Sequence, residues 1–177
     1  MTAARDPRPV VPVDAVSPER FRQGFRRLAA TVGVVVYRDL EGIVRGMTAT
    51  SLCALSATPP SLLVCVERST RTHAELEHLE IFALELLAAD QREIARFCAR
   101  PGADKILPVE WLVPVASDAA PRLAGTIAHF GCRIERVEPA FSHSIVIARI
   151  QALGLGPDDA EPLLYRDGRF RSLAPQD

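Results

Sequence analysis

Two stretches of this sequence concentrate groups able to hold a ligand. Gly46-Met47-Thr48-Ala49-Thr50-Ser51 consists of small and hydroxylated residues, which leave backbone amides within reach and add O–H groups that donate or accept. A flat, polar-edged ring can lie on such a segment; taken alone, the same composition also makes a plain strand end. Arg68-Ser69-Thr70-Arg71-Thr72 offers two guanidinium groups, three hydroxyls and the start of a short helix, with Thr72 and Glu75 spaced as a capping box. These groups make an anion site; the alternative is a capped helix with two solvated arginines.

Other chemistries lack their usual signatures. The sequence has no G-x-S-x-G elbow, no H-E-x-x-H and no G-x-x-x-x-G-K-[ST]. His73, His78, His129 and His143 share no ligand spacing, and Cys53, Cys65, Cys98 and Cys132 form neither a C-x-x-C pair nor a cysteine-histidine cluster. Neither a metal site nor a disulfide scaffold is expected. Gly154-Leu155-Gly156 runs into Pro157-Asp158-Asp159 instead of a glycine-bearing helix start, so it reads as a loop. Lys and Arg total 21 against 22 Asp and Glu, a formal charge of −1, which removes the field that draws a protein to nucleic acid.

The elements that position these groups follow from periodicity. A length of 177 residues fits one domain, and 48% hydrophobic with 24% charged residues fits a folded one. Residues 1–16 are proline-rich and are expected to form a flexible arm, leaving 17–177 as the domain. Ser17-Pro18-Glu19 starts a helix carrying Phe21, Phe25 and Leu28 on one face. Thr31–Tyr37 and Ile43–Ala49 flank the turn Arg38-Asp39-Leu40-Glu41-Gly42 as a hairpin. Further strand-like runs lie at Ser61–Val66, Ile81–Leu87, Thr126–Val137 and Ser142–Leu153, and a second small helix is expected after Asp90 with Glu93. The expected fold is mostly β with small helices, its sheet closed on itself. No stretch reaches the roughly 20 apolar residues of a membrane span, and the start lacks a signal peptide's apolar core, so the cytoplasm is the expected location.

The run Gly46 to Val66, with its double-proline corner Thr58-Pro59-Pro60, resembles the flavin reductase-like family. Further landmarks follow in order: Phe21-Arg22-Gln23-Gly24-Phe25, Phe82-Ala83-Leu84-Glu85-Leu86-Leu87, Ile94-Ala95-Arg96-Phe97, Leu123-Ala124-Gly125, His143, and Pro162 through Phe170. The resemblance spans about Phe21 to Leu173 and implies an FMN-binding split β-barrel with a Greek-key-like closed sheet. It places an isoalloxazine ring against Val44, Arg45, Gly46, Met47, Thr48, Ala49, Thr50 and Ser51, with Cys65, Val66 and Glu67 as the next wall. The flavin phosphate end is implied at Arg68, Ser69, Thr70, Arg71 and Thr72, with Arg96 and Phe97 also touching flavin. The nicotinamide side is implied at His143 and at Arg166, Asp167, Gly168 and Arg169. Phe141-Ser142 stands where the family commonly has Gly-Asp, and Glu85 where an asparagine is usual. A carboxylate in an apolar strand needs a partner, for which an arginine is the first candidate.

The implied reaction is hydride transfer from NADH or NADPH to FMN or FAD, which requires stacked rings at close approach and no nucleophile or general acid. The implied partners are a second copy of the chain, forming a homodimer, and a separate flavin-dependent monooxygenase that receives the reduced flavin. Two other readings compete: a non-catalytic flavin-storage barrel, and a flavin oxidase of the same fold.

Overall fold

The computed structural model of the chain describes residues 16–76, 78–102 and 104–173. The expected arm therefore lies, apart from Val16, outside the described residues. Helix α1 (Pro18–Phe25) starts as its residue types dictate, with Ser17 Oγ accepting from the Arg20 amide at 3.3 Å and Pro18 in the first turn. It buries none of its residues, and Phe21 and Phe25 stack on each other at 4.6 Å, both exposed.

The chain then builds β1 (Ala30–Thr31), β2 (Gly33–Arg38), β3 (Val44–Ala49), β4 (Leu52–Ala57), β5 (Pro60–Glu67) and, after helix α2 (Arg71–Glu75), β6 (Ile81–Leu86). Helix α3 (Arg92–Cys98), the short pair β7 (Leu112–Val113) and β8 (Arg122–Leu123), the long strands β9 (Ala128–Ala140) and β10 (His143–Leu155), and the hairpin β11 (Leu164–Arg166) with β12 (Arg169–Arg171) complete it. Seven strands form one sheet in the order β3-β2-β6-β9-β10-β5-β4. The valine run of β2 is continuous because both its faces are covered. Val35 and Tyr37 pack with Met47, Val64 and Phe82 on one face, while Val34 and Val36 pack with Leu87, Ile94 and Cys98 on the other.

The expected closure of the sheet is not made by hydrogen bonds. β3 and β4 are consecutive in the chain yet occupy opposite edges, and Thr50-Ser51 carries the backbone from one to the other. The outer edge of β3 is taken near its start by the segment after α3, through Gly46 N–H to Lys105 C=O at 3.2 Å and Leu107 N–H to Val44 C=O at 2.9 Å. At the crossing, the Cys65 amide bonds to Ser51 C=O at 3.1 Å. Between these two points the outer edge of β3 has no hydrogen-bonded partner among the described residues, which leaves a gap. β4 itself gave no strand signal, because its residues lack apolar alternation and all but Leu52 are exposed.

Both small helices start elsewhere than the capping boxes suggest. Thr70, not Thr72, caps α2, accepting from the His73 amide at 3.2 Å, because the Thr72 hydroxyl is buried and takes the Tyr37 O–H at 3.3 Å. At α3 neither Asp90 nor any other side chain caps the first turn; Gln91 holds the Ala88 amide and the Ala124 carbonyl, stapling the helix to the 123–126 loop. The same loop is pinned by Glu85, wholly buried on β6. Its carboxylate accepts from the Leu123 amide at 2.9 Å and Thr126 O–H at 2.9 Å, and lies 2.8 Å from His129 Nδ1. These three groups occupy the place expected for an arginine.

Candidate functional site

A cleft of about 1240 Å³ fills the gap left by the unclosed sheet. Its floor is Arg45 to Ser51, its near wall Cys65, Glu67 and Ser69 to Thr72, and its mouth His143, Gly168 and Arg169, all singled out in the sequence. Arg96 lies on the far wall. Six expected site residues lie outside the lining. Val66 is buried in the first core, Val44 packs on the second, and Phe97 turns edge-on to Trp111 at 5.4 Å. Arg68 reaches away to the Phe141 carbonyl at 3.4 Å, and Arg166 and Asp167 border a different cavity.

The peptide edge at the floor is the first chemical feature. In an antiparallel ladder, alternate residues turn N–H and C=O away from the partner strand. On β3 these are Val44, Gly46 and Thr48, and the first two are bonded to the 105–107 segment. Thr48 has no such backbone partner among the described residues, so its peptide group is presented to the cleft while its side chain is held by the Ala95 carbonyl at 2.7 Å. Gly46 is required one step earlier: a Cβ there would lie 2.6 Å from Cys98 Sγ, so the strand sits directly on α3. Burial pushes the Cys98 thiol up to about 12, and it acts as a neutral apolar wall.

Charge is the second feature. Arg45 is buried under the floor, with Nε 2.6 Å from Asp39 and its other arm on Asp104. Arg71, half exposed, lies 3.8 Å from Asp39, 3.5 Å from Glu75 and 3.8 Å from Asp104, so the expected cationic corner is balanced by carboxylates. On the far wall lie cations that make no ion pair among the described residues. Arg92, Arg96 and Arg100 follow at i, i+4 and i+8 along α3 and its exit, so they lie on one helical face toward the cleft, joined by Lys105. Sequence reading took only Arg96 from this set, although the spacing of the three was visible. It also missed Tyr37 on the floor and the cross-strand pair Tyr165 and Phe170, whose rings meet at 5.4 Å beneath Arg96. His143 stands opposite Glu67 in the ladder, exposed, with Nδ1 3.0 Å from Ser142 Oγ. No group of three or more potential metal ligands occurs among the described residues.

The family model described as "Flavin reductase like domain" matches residues 25–174. The chain is 34% identical over 171 residues to the NADH-dependent FAD reductase of Streptomyces globisporus, covering 93% of this chain and 92% of that one. It is 30% identical over 169 residues to the reductase subunit HsaB of a flavin-dependent monooxygenase from Rhodococcus jostii, covering 93% and 83%. Among solved structures, the NADH:FAD oxidoreductase SgcE6 of Streptomyces globisporus superposes with a TM-score of 0.84 at 30% identity, over 97% of this chain and 100% of that one.

Proposed function

The chain belongs to the flavin reductase-like family, and from that premise we propose that it is an NAD(P)H:flavin oxidoreductase that reduces FMN or FAD and passes reduced flavin to a separate monooxygenase. The observation that carries this is the unpaired β3 edge at Thr48, lying in a cleft walled by guanidinium groups. Bound flavin supplies the redox chemistry, as acceptor of a hydride from reduced nicotinamide. The chain's own part is placement. The Thr48 peptide group holds the polar rim of the ring, and fixed N–H dipoles there stabilise negative charge without a titrating group. Ser69, Thr70 and Arg71 take the phosphate end. His143 and the Tyr165–Phe170 pair border the mouth, where the second planar ring enters.

The direct experiment mixes purified protein with NADH or NADPH and with FMN or FAD. Loss of nicotinamide absorbance is expected; flavin binding without turnover would replace the reductase by a storage protein. Arg71→Ala is expected to weaken FMN affinity by about tenfold in a fluorescence titration, in line with the loss of one charge-assisted contact to phosphate. Unchanged affinity would remove the phosphate from this corner.

The proposed assembly is a homodimer. β4 is an edge strand with apolar residues exposed along its length, Leu55 being 49% accessible, and such an edge invites a partner. Leu55→Asp is expected to convert a dimer into a monomer in light scattering; a wild-type monomer with full activity would refute the assembly. No helix among the described residues is long and apolar enough to cross a membrane. All four cysteines are free, which fits a reducing cytoplasm.

A further inference from the structure

Every nitrogen of the Arg71 guanidinium already faces a carboxylate. Nε lies 3.5 Å from Glu75, one Nη 3.8 Å from Asp104 and the other Nη 3.8 Å from Asp39. Arg45, buried beside it, pairs with Asp39 and with Asp104. Two guanidinium groups thus meet three carboxylates, and the balance of the corner is negative. A phosphate monoester carries about −1.5 to −2 charge at neutral pH, so it cannot share the Arg71 fork with all three. One carboxylate must give way.

The three differ in their freedom to do so. Asp39 is buried and fixed, accepting from Arg45 Nε at 2.6 Å and from the amides of Glu41 and Ile43. Glu75 is carried by α2 itself, one turn after Arg71, and is half-buried. Asp104 is different: its side chain is 55% exposed, and Arg45 is its one other ion-pair partner among the described residues. Arg45 keeps Asp39 when Asp104 withdraws. Asp104 also reaches Arg71 from another part of the chain. Arg71 opens α2 on the near wall, whereas Asp104 precedes Lys105, whose carbonyl accepts from the Gly46 amide beside the floor strand. Both residues line the cleft.

We infer that Asp104 is an internal competitor of the flavin phosphate: it contends with the phosphate for Arg71 and lowers the affinity for a phosphorylated flavin without touching the ring. The inference rests on the flavin-reductase reading, with the phosphate at Ser69 to Arg71. A site claimed for part of the time by its own side chain loses apparent affinity in proportion. In a chain that hands reduced flavin on, such a contact keeps the flavin exchangeable. The simpler role for Asp104 is a second anchor for Arg45. That accounts for one of its contacts but not for its approach to Arg71, and an anchor alone would affect every flavin alike.

The test compares FMN with riboflavin, which has the same ring and no phosphate, in the wild-type chain and in Asp104→Asn. Asparagine keeps the volume and one acceptor oxygen for Arg45 while removing the charge. Both flavins are titrated into one preparation by fluorescence, so a change in the folded fraction cancels from the ratio of their dissociation constants. The preference for FMN over riboflavin is expected to rise about fivefold, the order set by one unit charge near a phosphate in a solvent-exposed corner. Asp104→Ala, which removes the same charge without supplying an amide, is expected to give the same rise. In an Arg71→Ala background, Asp104→Asn is expected to change the preference by less than twofold, because no guanidinium is left to contend for. An unchanged preference in both neutral variants, an equal shift for both flavins, or a full fivefold gain without Arg71 would each overturn the competition. A wild type that does not oxidise NADH with FMN sinks the reductase reading. One that does, with a preference indifferent to Asp104, sinks only the competitor.

Discussion

Arg45→Met is expected to lower unfolding free energy by about 3–5 kcal/mol, the usual consequence of leaving a buried charge without its partner. Arg45 is 3% accessible and Asp39 is 7%; the bond between them ties the β2–β3 turn to the strand under the cleft. Asp39 additionally accepts from the amides of Glu41 at 3.0 Å and Ile43 at 2.9 Å, so one carboxylate organises the whole turn. Burial acts to raise its pKa, but the Arg45 hydrogen bond, the backbone donors and the Arg45 charge outweigh it and hold the group below its ordinary value. A carboxylate lowered on folding stabilises the native state above the unfolded pKa and loses that contribution as pH falls through the lowered value. Urea unfolding at neutral and acid pH checks both statements: the wild type should weaken on acidification, and Arg45→Met should show much less of that dependence. A variant within about 1 kcal/mol of wild type would show that the pair contributes little beyond its own desolvation.

The second large effect is expected at Glu85. Glu85→Ala strands the Leu123 amide, the Thr126 hydroxyl and His129 Nδ1 in a site that excludes solvent, and each buried donor left unsatisfied costs about 1–3 kcal/mol. A total loss of about 3–4 kcal/mol is expected because the 123–126 loop can relax in part. Glu85→Gln keeps one acceptor oxygen and should lose less than half of that. The two midpoints in urea, at unchanged slope, make the measurement. Equal losses from both variants would mean that the charge and the second acceptor oxygen, which glutamine lacks, carry the effect, because glutamine keeps the side chain's volume. Leu123 also packs with Ile94, Ala95 and Cys98 of α3, so the carboxylate supports, at second hand, the helix that carries the arginine wall.

Much of this was legible in the sequence because it is local. The β2–β3 hairpin follows from a valine run, an Asp-to-Gly turn and a returning strand; Ser17 caps α1; and the small, hydroxylated residues from Gly46 to Ser51 do lie on the cleft floor. What stayed hidden depends on residues far apart in the chain. Thr70 and Thr72 are equivalent as caps until Tyr37, 35 positions earlier, claims the hydroxyl of Thr72. Arginines on α3 look like a solvated face unless the opposite wall is known to be β3. Arg166 and Arg169 sit together in the sequence and pair across the β11–β12 turn, yet they line two different cavities, which no local pattern announces. Closure of the sheet was expected from the number of strands, whereas which edges meet depends on strand order.

That order has an evolutionary consequence. Because Thr50-Ser51 leads from one margin of the sheet to the other, the opening beside β3 is set by connectivity and not by the side chains around it. Drift in those side chains can retune what the opening admits, but abolishing it would require rerouting the polypeptide. A strand order persists through deep divergence, as the TM-score of 0.84 at 30% identity illustrates for the fold as a whole, and an opening that it sets leaves selection free to diversify its clients.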